Sequence, residues 1–408
     1  MSLKMIKSIS PKNYLIAMDS FKGSLSSIDA ANAVKAGILN ADPDAEVVVS
    51  PLADGGEGTV NALTYGMNGN LQSAVVSDPY GNSISCEYGI AEISISNESK
   101  VAKARLCAII EVAGACGLYL VPEAGRNPLY TSTYGVGELI TDALNKGCRS
   151  FIIGIGGTST NDGGIGMLSA LGIRFLDNDG NEVPRGAIGL KNLHHIDISG
   201  MDSRLKDCTI MVACDVDNPL CGARGCSRVF APQKGADSGS VEQMDLWLSR
   251  YGDMTEDLLG RPTEGTAFKD MPGAGAAGGL GFAFKAYLGA ELKSGIDIVI
   301  NETGLKDKIK NADIIITGEG CLDFQTAMGK APIGVAKAVK SIDTSKRVVA
   351  FAGRIGDGAG ECLKHGIDEY YGVTDIVSYN DPADYMKHEN AFRNLTKLAE
   401  KFVREQGH

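Results

Sequence analysis

The sequence predicts an α/β fold in which a Rossmann- or flavodoxin-like parallel-sheet domain is interrupted by a second, mixed α/β domain. Along most of the chain, short apolar runs end in Asp or Gly and are followed by helical patterns, which is typical of a parallel sheet covered by helices. Residues 71–110 instead alternate apolar and polar side chains around a turn at 78–81, which indicates antiparallel strands. We therefore expect one domain from residues 1–70 and 290–408, and an inserted domain from residues 71–289.

The strands of the parallel sheets are predicted where the apolar runs occur. These runs are Tyr14–Met18, Val47–Val49, Phe151–Ile155, Ile210–Cys214, Ile314–Ile316 and Val348–Phe351. Helical periodicity is clear in residues 26–38, 136–147 and 332–342. The chain has 52 glycines, against about 29 expected from average usage. Many lie in turns that follow the apolar runs, as in the βα loops of such folds.

Charge and composition exclude several function classes. The net charge is −11 and no basic tract is long enough to follow a nucleic-acid backbone, which argues against a nucleic-acid partner. The N-terminal apolar run at residues 14–18 is too short for a signal sequence or a membrane span, so we expect no membrane partner. Ten cysteines without a CxxC pair indicate reduced thiols and a cytoplasmic protein.

The segment Phe151–Leu171 is the most informative part of the sequence. A buried-strand signal is followed by a glycine turn, polar residues and a helix. Unhindered amides after a strand and the positive end of a helix bind anions in α/β proteins. The candidate residues in this segment are Gly156, Gly157, Thr158, Asn161 and Asp162.

Two further turns follow the first two predicted strands. Asp19, Ser20 and Lys22 come after Tyr14–Met18, where we expect Ser20 to Ser24 to open a helix. Asp19 could bind Mg²⁺ or accept a substrate proton, and Lys22 could neutralise a phosphate oxygen. The alternative is that Asp19 only caps the helix.

The second turn, at residues 51–58, contains two glycines between two acidic residues. Gly55 and Gly56 can form an anion-binding nest, and Asp54 and Glu57 can form a metal-binding pair. A plain tight turn is an equally good interpretation.

Polar residues also follow the predicted strand at Ile210–Cys214. The loop contains Asp215, Asp217 and Asn218, which we expect to contact a metal ion or a substrate hydroxyl. Further along the chain, a glycine is preceded by Gln233 and Lys234. Helix capping usually requires a single polar side chain, so two carboxylates and an Asn in one strand-end loop favour a functional role.

The last two glycine-rich segments differ from standard nucleotide motifs. Residues 272–281 match GxGxxG at Gly273, Gly275 and Gly278, but no predicted strand precedes them, so phosphate approach or close helix packing is expected rather than dinucleotide binding. Residues 316–336 follow a buried strand without a Walker A sequence. They present the candidate residues Glu319, Asp323, Gln325, Thr326 and Lys330.

Taken together, eight segments in order resemble the bacterial type I glycerate kinase family. They are DSFKGSL, PLADGGEGT, TYGVGELI, GIGGTSTNDGG, ACDVDNPL, PQKGA, GAGAAGGLG and ITGEG followed by D.QT..GK.P. The resemblance runs from about residue 14 to residue 380. It implies that ATP and Mg²⁺ are used to phosphorylate D-glycerate, with 2-phosphoglycerate favoured over 3-phosphoglycerate as the product.

Given this resemblance, we expect an active-site cleft between the two domains. Amides at residues 156–157 and 273–279 would hold anions there, while Lys22 and Lys234 would neutralise the transferring oxygens. Asp54, Glu57 or Asp215 would hold Mg²⁺. Asp19 is the preferred proton acceptor, ahead of Asp162 and Asp323.

Two residues depart from the family pattern. Cys321 stands where the resemblance leads us to expect Arg, and Ala231 stands where Gly is common. Loss of an Arg removes a fixed charge and five donors. If that Arg contacts substrate, Lys330 or Arg354 is a candidate replacement, whereas an Arg that makes only a structural ion pair would be dispensable.

Three other functions remain open from the sequence. The first alternative is a kinase for another small hydroxy acid or sugar acid. The second is a nicotinamide-dependent oxidoreductase, which rests on GxGxxG alone. The third is a non-catalytic metabolite-binding regulator. A homodimer is the assembly considered.

Overall fold

The computed structural model describes residues 12–53, 55–95, 103–262, 265–378 and 383–406. The chain divides into two compact units, which we call unit 1 (Met1–Ala53 with Val299–His408) and unit 2 (Asp54–Ile298). Each unit contains its own sheet, so the predicted interrupted α/β architecture is confirmed. Residues 54–70 and 290–298 belong to unit 2, and the domain limits drawn from the sequence stay a prediction.

The described strands and helices follow the predicted alternation. The strands are β1 Asn13–Met18, β2 Glu46–Val49, β3 Asn70–Ser77, β4 Ser83–Ile95, β5 Lys103–Glu111, β6 Ser150–Gly154, β7 Arg174–Leu176, β8 His195–Asp197, β9 Thr209–Ala213, β10 Glu291–Lys293, β11 Ile314–Leu322, β12 Arg347–Ile355 and β13 Glu369–Gly372. The α-helices are α1 Ser27–Ala41, α2 Thr59–Gly66, α3 Ala113–Cys116, α4 Tyr134–Asn145, α5 Ile165–Ala170, α6 Cys226–Phe230, α7 Ser238–Leu259, α8 Ala276–Leu288, α9 Gly295–Glu302, α10 Leu305–Asn311, α11 Phe324–Ala327, α12 Ala331–Ile342, α13 Ala383–Met386 and α14 His388–Gln406.

Unit 1 is built around a five-stranded parallel sheet in the order β13-β12-β11-β1-β2. The central strands carry the apolar runs 14–18, 314–316 and 348–352, as expected for a sheet whose faces are covered by helices. Numbered along the unit, the strands have the order 2-1-3-4-5 of flavodoxin-like folds, whose ligands bind at the switch point between strands 1 and 3. Here that point lies between β1 and β11, where Met18 pairs with Gly318. The loops after these two strands therefore occupy the expected ligand-binding edge.

Unit 2 contains a six-stranded mixed sheet in the order β10-β9-β6-β5-β4-β3. β3, β4 and β5 are antiparallel, as the alternating pattern predicted. The predicted turn forms because the Asp78 carboxylate accepts hydrogen bonds from the Tyr80 and Asn82 amides, both at 2.8 Å. β5, β6, β9 and β10 run parallel, so their carboxyl ends meet at one edge of the sheet.

The structure also describes the hydrophobicity of the helices and the state of the cysteines. None of the described helices is long and apolar enough to cross a membrane. All ten cysteines lie in the described ranges and carry free thiols, six of them buried.

Helix α8 begins with three residues in the left-handed region. They are Ala277 (φ 53°), Gly278 (φ 68°) and Gly279 (φ 95°), after which the helix is regular. Glycine adopts this conformation without steric cost, whereas an L-residue with a Cβ pays roughly 1–2 kcal/mol. Ala277 is therefore strained.

We expect Ala277→Gly to raise the free energy of unfolding of unit 2 by about 1 kcal/mol, because glycine relieves the left-handed strain. Urea denaturation followed by the fluorescence of Trp247, the single tryptophan of the chain, reports on unit 2. Ala286→Gly, in the regular part of α8, is the matched control and should lose about 1 kcal/mol. Equal destabilisation by the two substitutions would contradict the prediction.

Candidate functional site

The loop after β6 is held by the turn at residues 55–56, so the structure brings together two glycine segments singled out in the sequence. The Gly156 amide donates to the Gly55 carbonyl at 3.2 Å. A Cβ on Gly154 would lie 2.5 Å from that same carbonyl oxygen, so only glycine allows this approach. Asp54, predicted as a metal ligand, lies outside the described residues.

Lys234 is buried beneath this loop, with 3% of its surface exposed. Its Nζ donates to Thr158 Oγ1 at 3.1 Å and to the Thr160 carbonyl at 2.6 Å. Burial lowers the pKa of Lys234 to about 8, partly offset by the negative charge of Asp162. The preceding residue, Gln233, is exposed. A cation therefore lies directly under the glycine loop and braces its backbone.

Asp162 has a full set of hydrogen bonds inside unit 2. Its carboxylate accepts from the Thr133 amide and hydroxyl, both at 2.9 Å, and from the amides of Gly164 and Gly166 at 3.0 and 3.3 Å. Burial raises its pKa. Because the side chain is 0% exposed, these contacts favour a structural role for it.

Asn161 lies next to it and is also fully buried. Its Nδ2 donates to Ser227 Oγ at 2.8 Å. Its Oδ1 has no hydrogen-bond partner within the described part of the chain. The side chain thus ties the loop to α6 and retains an acceptor.

Glu111 was missed by the sequence analysis, although it lies at the same edge. It ends β5, where it pairs with Gly154 of β6, and its Oε1 accepts a hydrogen bond from the Val60 amide at 2.7 Å. Burial raises the pKa of Glu111 to about 7, the amides at the start of α2 oppose that shift, and the charge of Glu57 adds to it. Glu57 itself is exposed.

The loop after β9 borders an open cavity. Its volume is about 490 Å³, and its lining is Cys214, Asp215, Val216, Asp217, Asn218 and Ser294. Asp215 Oδ1 accepts from the Gly295 amide at 3.1 Å, and the Asn218 carbonyl accepts from the Gly275 amide at 2.9 Å. This places oxygen donors around solvent-accessible space.

The segment at residues 273–279 packs against the loop after β6. The Gly163 amide donates to the Gly278 carbonyl at 2.9 Å. A Cβ on Gly278 would lie 2.1 Å from the Thr160 carbonyl, and one on Gly275 would lie 2.2 Å from the Pro219 carbonyl. These contacts favour the close-packing interpretation for both glycines.

In unit 1, Asp19 follows β1 at the switch point. Its amide donates to the Gly318 carbonyl at 2.9 Å, and its Oδ1 accepts from the Ser20 amide at 2.7 Å. Lys22 is exposed. The half-buried Asp19 carboxylate and the Lys22 ammonium thus lie in the loop after β1, at the edge where the strand order predicts ligand binding.

The expectation that residues 20–24 open a helix is wrong. Phe21 and Leu25 exchange backbone hydrogen bonds at 2.9 and 3.1 Å, which closes a separate turn. α1 begins only at Ser27, because Ser26 Oγ accepts from the Asp29 amide at 3.0 Å and caps the helix.

The loop after β11 gathers the predicted polar residues. Glu319 is buried, which raises its pKa, and its Oε1 accepts from Thr326 Oγ1 at 2.6 Å. Lys330 Nζ lies 3.6 Å from Glu319 Oε2 and 3.9 Å from Asp323 Oδ1. Asp323 caps α11 through the amides of Gln325 and Thr326, at 2.9 and 3.2 Å. The Gln325 side chain is exposed.

The two departures from the family pattern fit their surroundings. Cys321 on β11 pairs in register with Arg354 on β12, so an exposed guanidinium is available on the adjacent strand. Ala231 is fully buried in a small apolar cluster with Ala187, Val241 and Met244, where its methyl group is accommodated.

The raised pKa of Glu111 predicts a pH-dependent stability. The folded-state pKa of about 7 exceeds the ordinary value of 4.5, so the folded protein binds the Glu111 proton more tightly than the unfolded chain. The stabilisation that this proton gives is fully present below pH 4.5 and is lost as the pH rises through 7. Glu111→Gln abolishes this loss. The free energy of unfolding of the variant relative to the wild type should therefore increase by roughly 1–3 kcal/mol between pH 4.5 and pH 8. Urea denaturation followed by Trp247 fluorescence checks this, and a pH-independent difference would contradict it.

Comparison with known proteins identifies the family. The family model described as "Glycerate kinase family" matches residues 14–406. The chain is 44% identical over 378 residues to a glycerate kinase of Bacillus subtilis (strain 168), covering 91% of this chain and 94% of the relative. It is also 44% identical over 385 residues to a glycerate 2-kinase of Escherichia coli (strain K12), covering 94% and 96%.

A solved structure agrees with this. The chain superposes with a TM-score of 0.83 on a crystal structure of a Salmonella typhimurium LT2 protein assigned to glycerate kinase 2. The two are 41% identical, and the match covers 97% of this chain and 98% of that one. Together with the colinear motifs at the two sheet edges, these matches show that the chain belongs to the glycerate kinase family.

Proposed function

We propose that this protein transfers a phosphoryl group from ATP to D-glycerate with the help of Mg²⁺, and that the product is 2-phosphoglycerate. The observation that carries the proposal is the buried Lys234 beneath the glycine loop, in a chain that matches the glycerate kinase family from residue 14 to residue 406. The preference for the 2-hydroxyl is supported by the name of the Escherichia coli relative, a glycerate 2-kinase.

Anion binding in this acidic protein depends on local positive charge. With a net charge of −11, the chain as a whole repels carboxylates and phosphates, so binding relies on backbone amides and individual cations. Lys234 and the amide of Gly157 supply them in unit 2, because the Gly156 amide already donates to the Gly55 carbonyl. Lys22, Lys330 and Arg354 supply them in unit 1. Phosphoryl transfer requires mainly such positioning and charge neutralisation. The placement of the reacting groups in a cleft between domains stays a prediction.

The carboxylates at the strand ends of unit 2 suit a hard cation. Mg²⁺ is usually held by one or two carboxylates together with substrate phosphates and water. Asp215 is exposed beside a cavity that Asp217 and Asn218 also line, and Glu57 is exposed in the turn after Gly56. We propose Asp215 and Glu57 as its ligands, because both are exposed carboxylates in loops of this unit. When bound, Mg²⁺ neutralises charge on the transferred phosphoryl oxygens.

Asp19 is the carboxylate best placed to accept the substrate hydroxyl proton. Asp162 is fully buried and accepts four hydrogen bonds, and Asp323 caps α11. Asp19 is half-buried at the switch point of unit 1, where ligands of flavodoxin-like folds bind.

The cellular location and the oligomeric state of the protein are also proposals. The ten free thiols support a reducing, cytoplasmic location. The homodimer considered from the sequence stays a prediction.

The direct test of the function is ATP consumption with Mg²⁺ and D-glycerate, followed by ³¹P NMR of the product. We expect a 2-phosphoglycerate signal. A 3-phosphoglycerate signal would overturn the assignment of the hydroxyl. Turnover only with another hydroxy acid or sugar acid would overturn the assignment of the substrate.

We expect Asp19→Asn to lower kcat by about 10²–10⁴-fold without changing the thermal stability of the protein, because the amide cannot accept a proton. Asp29→Asn, an exposed carboxylate near the start of α1 in the same unit, is the matched control and should retain wild-type turnover. Unchanged kcat in Asp19→Asn would assign proton acceptance to another group.

A further inference from the structure

Glu111 stands where three elements of unit 2 meet. It is the last residue of β5, and its register partner on β6 is Gly154, which precedes the glycine loop. Its carboxylate reaches the first turn of α2, the helix that follows the turn at residues 55–58. None of the roles described above for substrate, metal or proton transfer uses this side chain.

Three hydrogen bonds, joined by the peptide links between neighbouring residues, connect Glu111 with the glycine loop. Glu111 Oε1 accepts from the Val60 amide at 2.7 Å. In the same helix turn, Thr59 Oγ1 donates to the Gly56 carbonyl at 2.7 Å. The neighbouring Gly55 carbonyl accepts from the Gly156 amide at 3.2 Å. The carboxylate therefore fixes the start of α2, the turn before it and, through that turn, the loop after β6.

Among the described residues, the surroundings of the Glu111 carboxyl group contain no positive charge. Burial disfavours its charged form, and its principal partners are backbone amides rather than a cation. The nearby ionisable groups are Glu57 in the turn, Cys86 on β4 and Tyr119, and none of them supplies positive charge. A carboxyl group at a strand end that accepts a hydrogen bond from a helix-start amide 51 residues away, with no cation beside it in the part of the chain that the structure describes, indicates a role other than packing.

We propose that Glu111 is a positioning residue for phosphoryl transfer, whose carboxylate holds the turn at residues 55–58 against residues 154–157 so that the anion-binding amides keep a fixed geometry. The inference rests on the proposed function, because that function requires a prealigned anion site. A displacement of about 1 Å by a substitution away from the reacting atoms can lower a rate by about 10²-fold.

The test compares Glu111→Ala with Glu111→Gln in the full chain. The alanine variant loses the acceptor for the Val60 amide, and we expect kcat to fall by about 10–100-fold with little change in the KM values. The glutamine variant keeps an oxygen acceptor, and we expect it to recover kcat to within about threefold of the wild type. Glu138 provides the matched control, because its Oε2 accepts from the Ser77 amide at 2.6 Å in the same unit. Glu138→Ala should retain wild-type kcat.

Amide hydrogen exchange supplies a readout that does not depend on activity. Without any substrate, the amides of residues 56–60 should exchange faster in Glu111→Ala than in the wild type, and at nearly the wild-type rate in Glu111→Gln. Wild-type kcat in Glu111→Ala would overturn the proposal, as would equal loss of kcat in both variants with unchanged exchange. If the wild type phosphorylates no acid, the proposed function fails, while the exchange of residues 56–60 still decides whether Glu111 fixes the turn.

Discussion

Direct contact between glycine backbones is the constraint on which the candidate site of unit 2 depends. The loop after β6 meets the turn at residues 55–56 on one side and the segment at 273–279 on another, and both contacts leave no room for a Cβ. Three segments that are far apart in sequence can therefore converge at one sheet edge, where their amides and carbonyls hydrogen-bond to one another. Any larger side chain at Gly154 or Gly278 would separate them.

Charge burial is the second property of this edge. Lys234 beneath the loop and Glu111 beside it are both held away from water, and burial shifts the pKa of each toward the physiological range. Perturbed groups of this kind cluster at functional sites, because stabilising an anion requires preorganised charge in a medium of low dielectric. The cost in stability is offset by the large apolar core of the unit.

The fold could be predicted from the sequence because its strands carry strong local signals. The run Ile314–Ile316 is apolar throughout, as expected for a strand buried on both faces, and β4 alternates between exposed and more buried residues over most of its length. The position of the loops that follow these strands was equally evident. Glu111 could not be found, because a single Glu at the end of an apolar strand carries no local signal and its partner, Val60, is 51 residues away.

Local competition explains the remaining differences. The periodicity at residues 26–38 agrees with α1, but the helix opening expected at residues 20–24 was wrong because several Ser residues precede the helix and only the structure shows that Ser26 is the cap. The left-handed Ala277 was likewise hidden, since alanine before an apolar helical segment ordinarily indicates a helix. The Ser26 cap is a local contact between residues three apart, and the local sequence offers several such serines.

The strand order of unit 1 also has a consequence for biosynthesis. β1 lies between β2 and β11, and the Asn13 amide donates to a carboxylate 300 residues further along the chain. On the ribosome, the N-terminal segment must wait without its principal neighbour while all of unit 2 is translated, which takes on the order of tens of seconds. Unit 2 is contiguous and can close its own sheet in that interval. Chaperone demand during synthesis should consequently fall on the first 53 residues, because β1 can pair with β2 but lacks its β11 neighbour until residues 314–318 emerge.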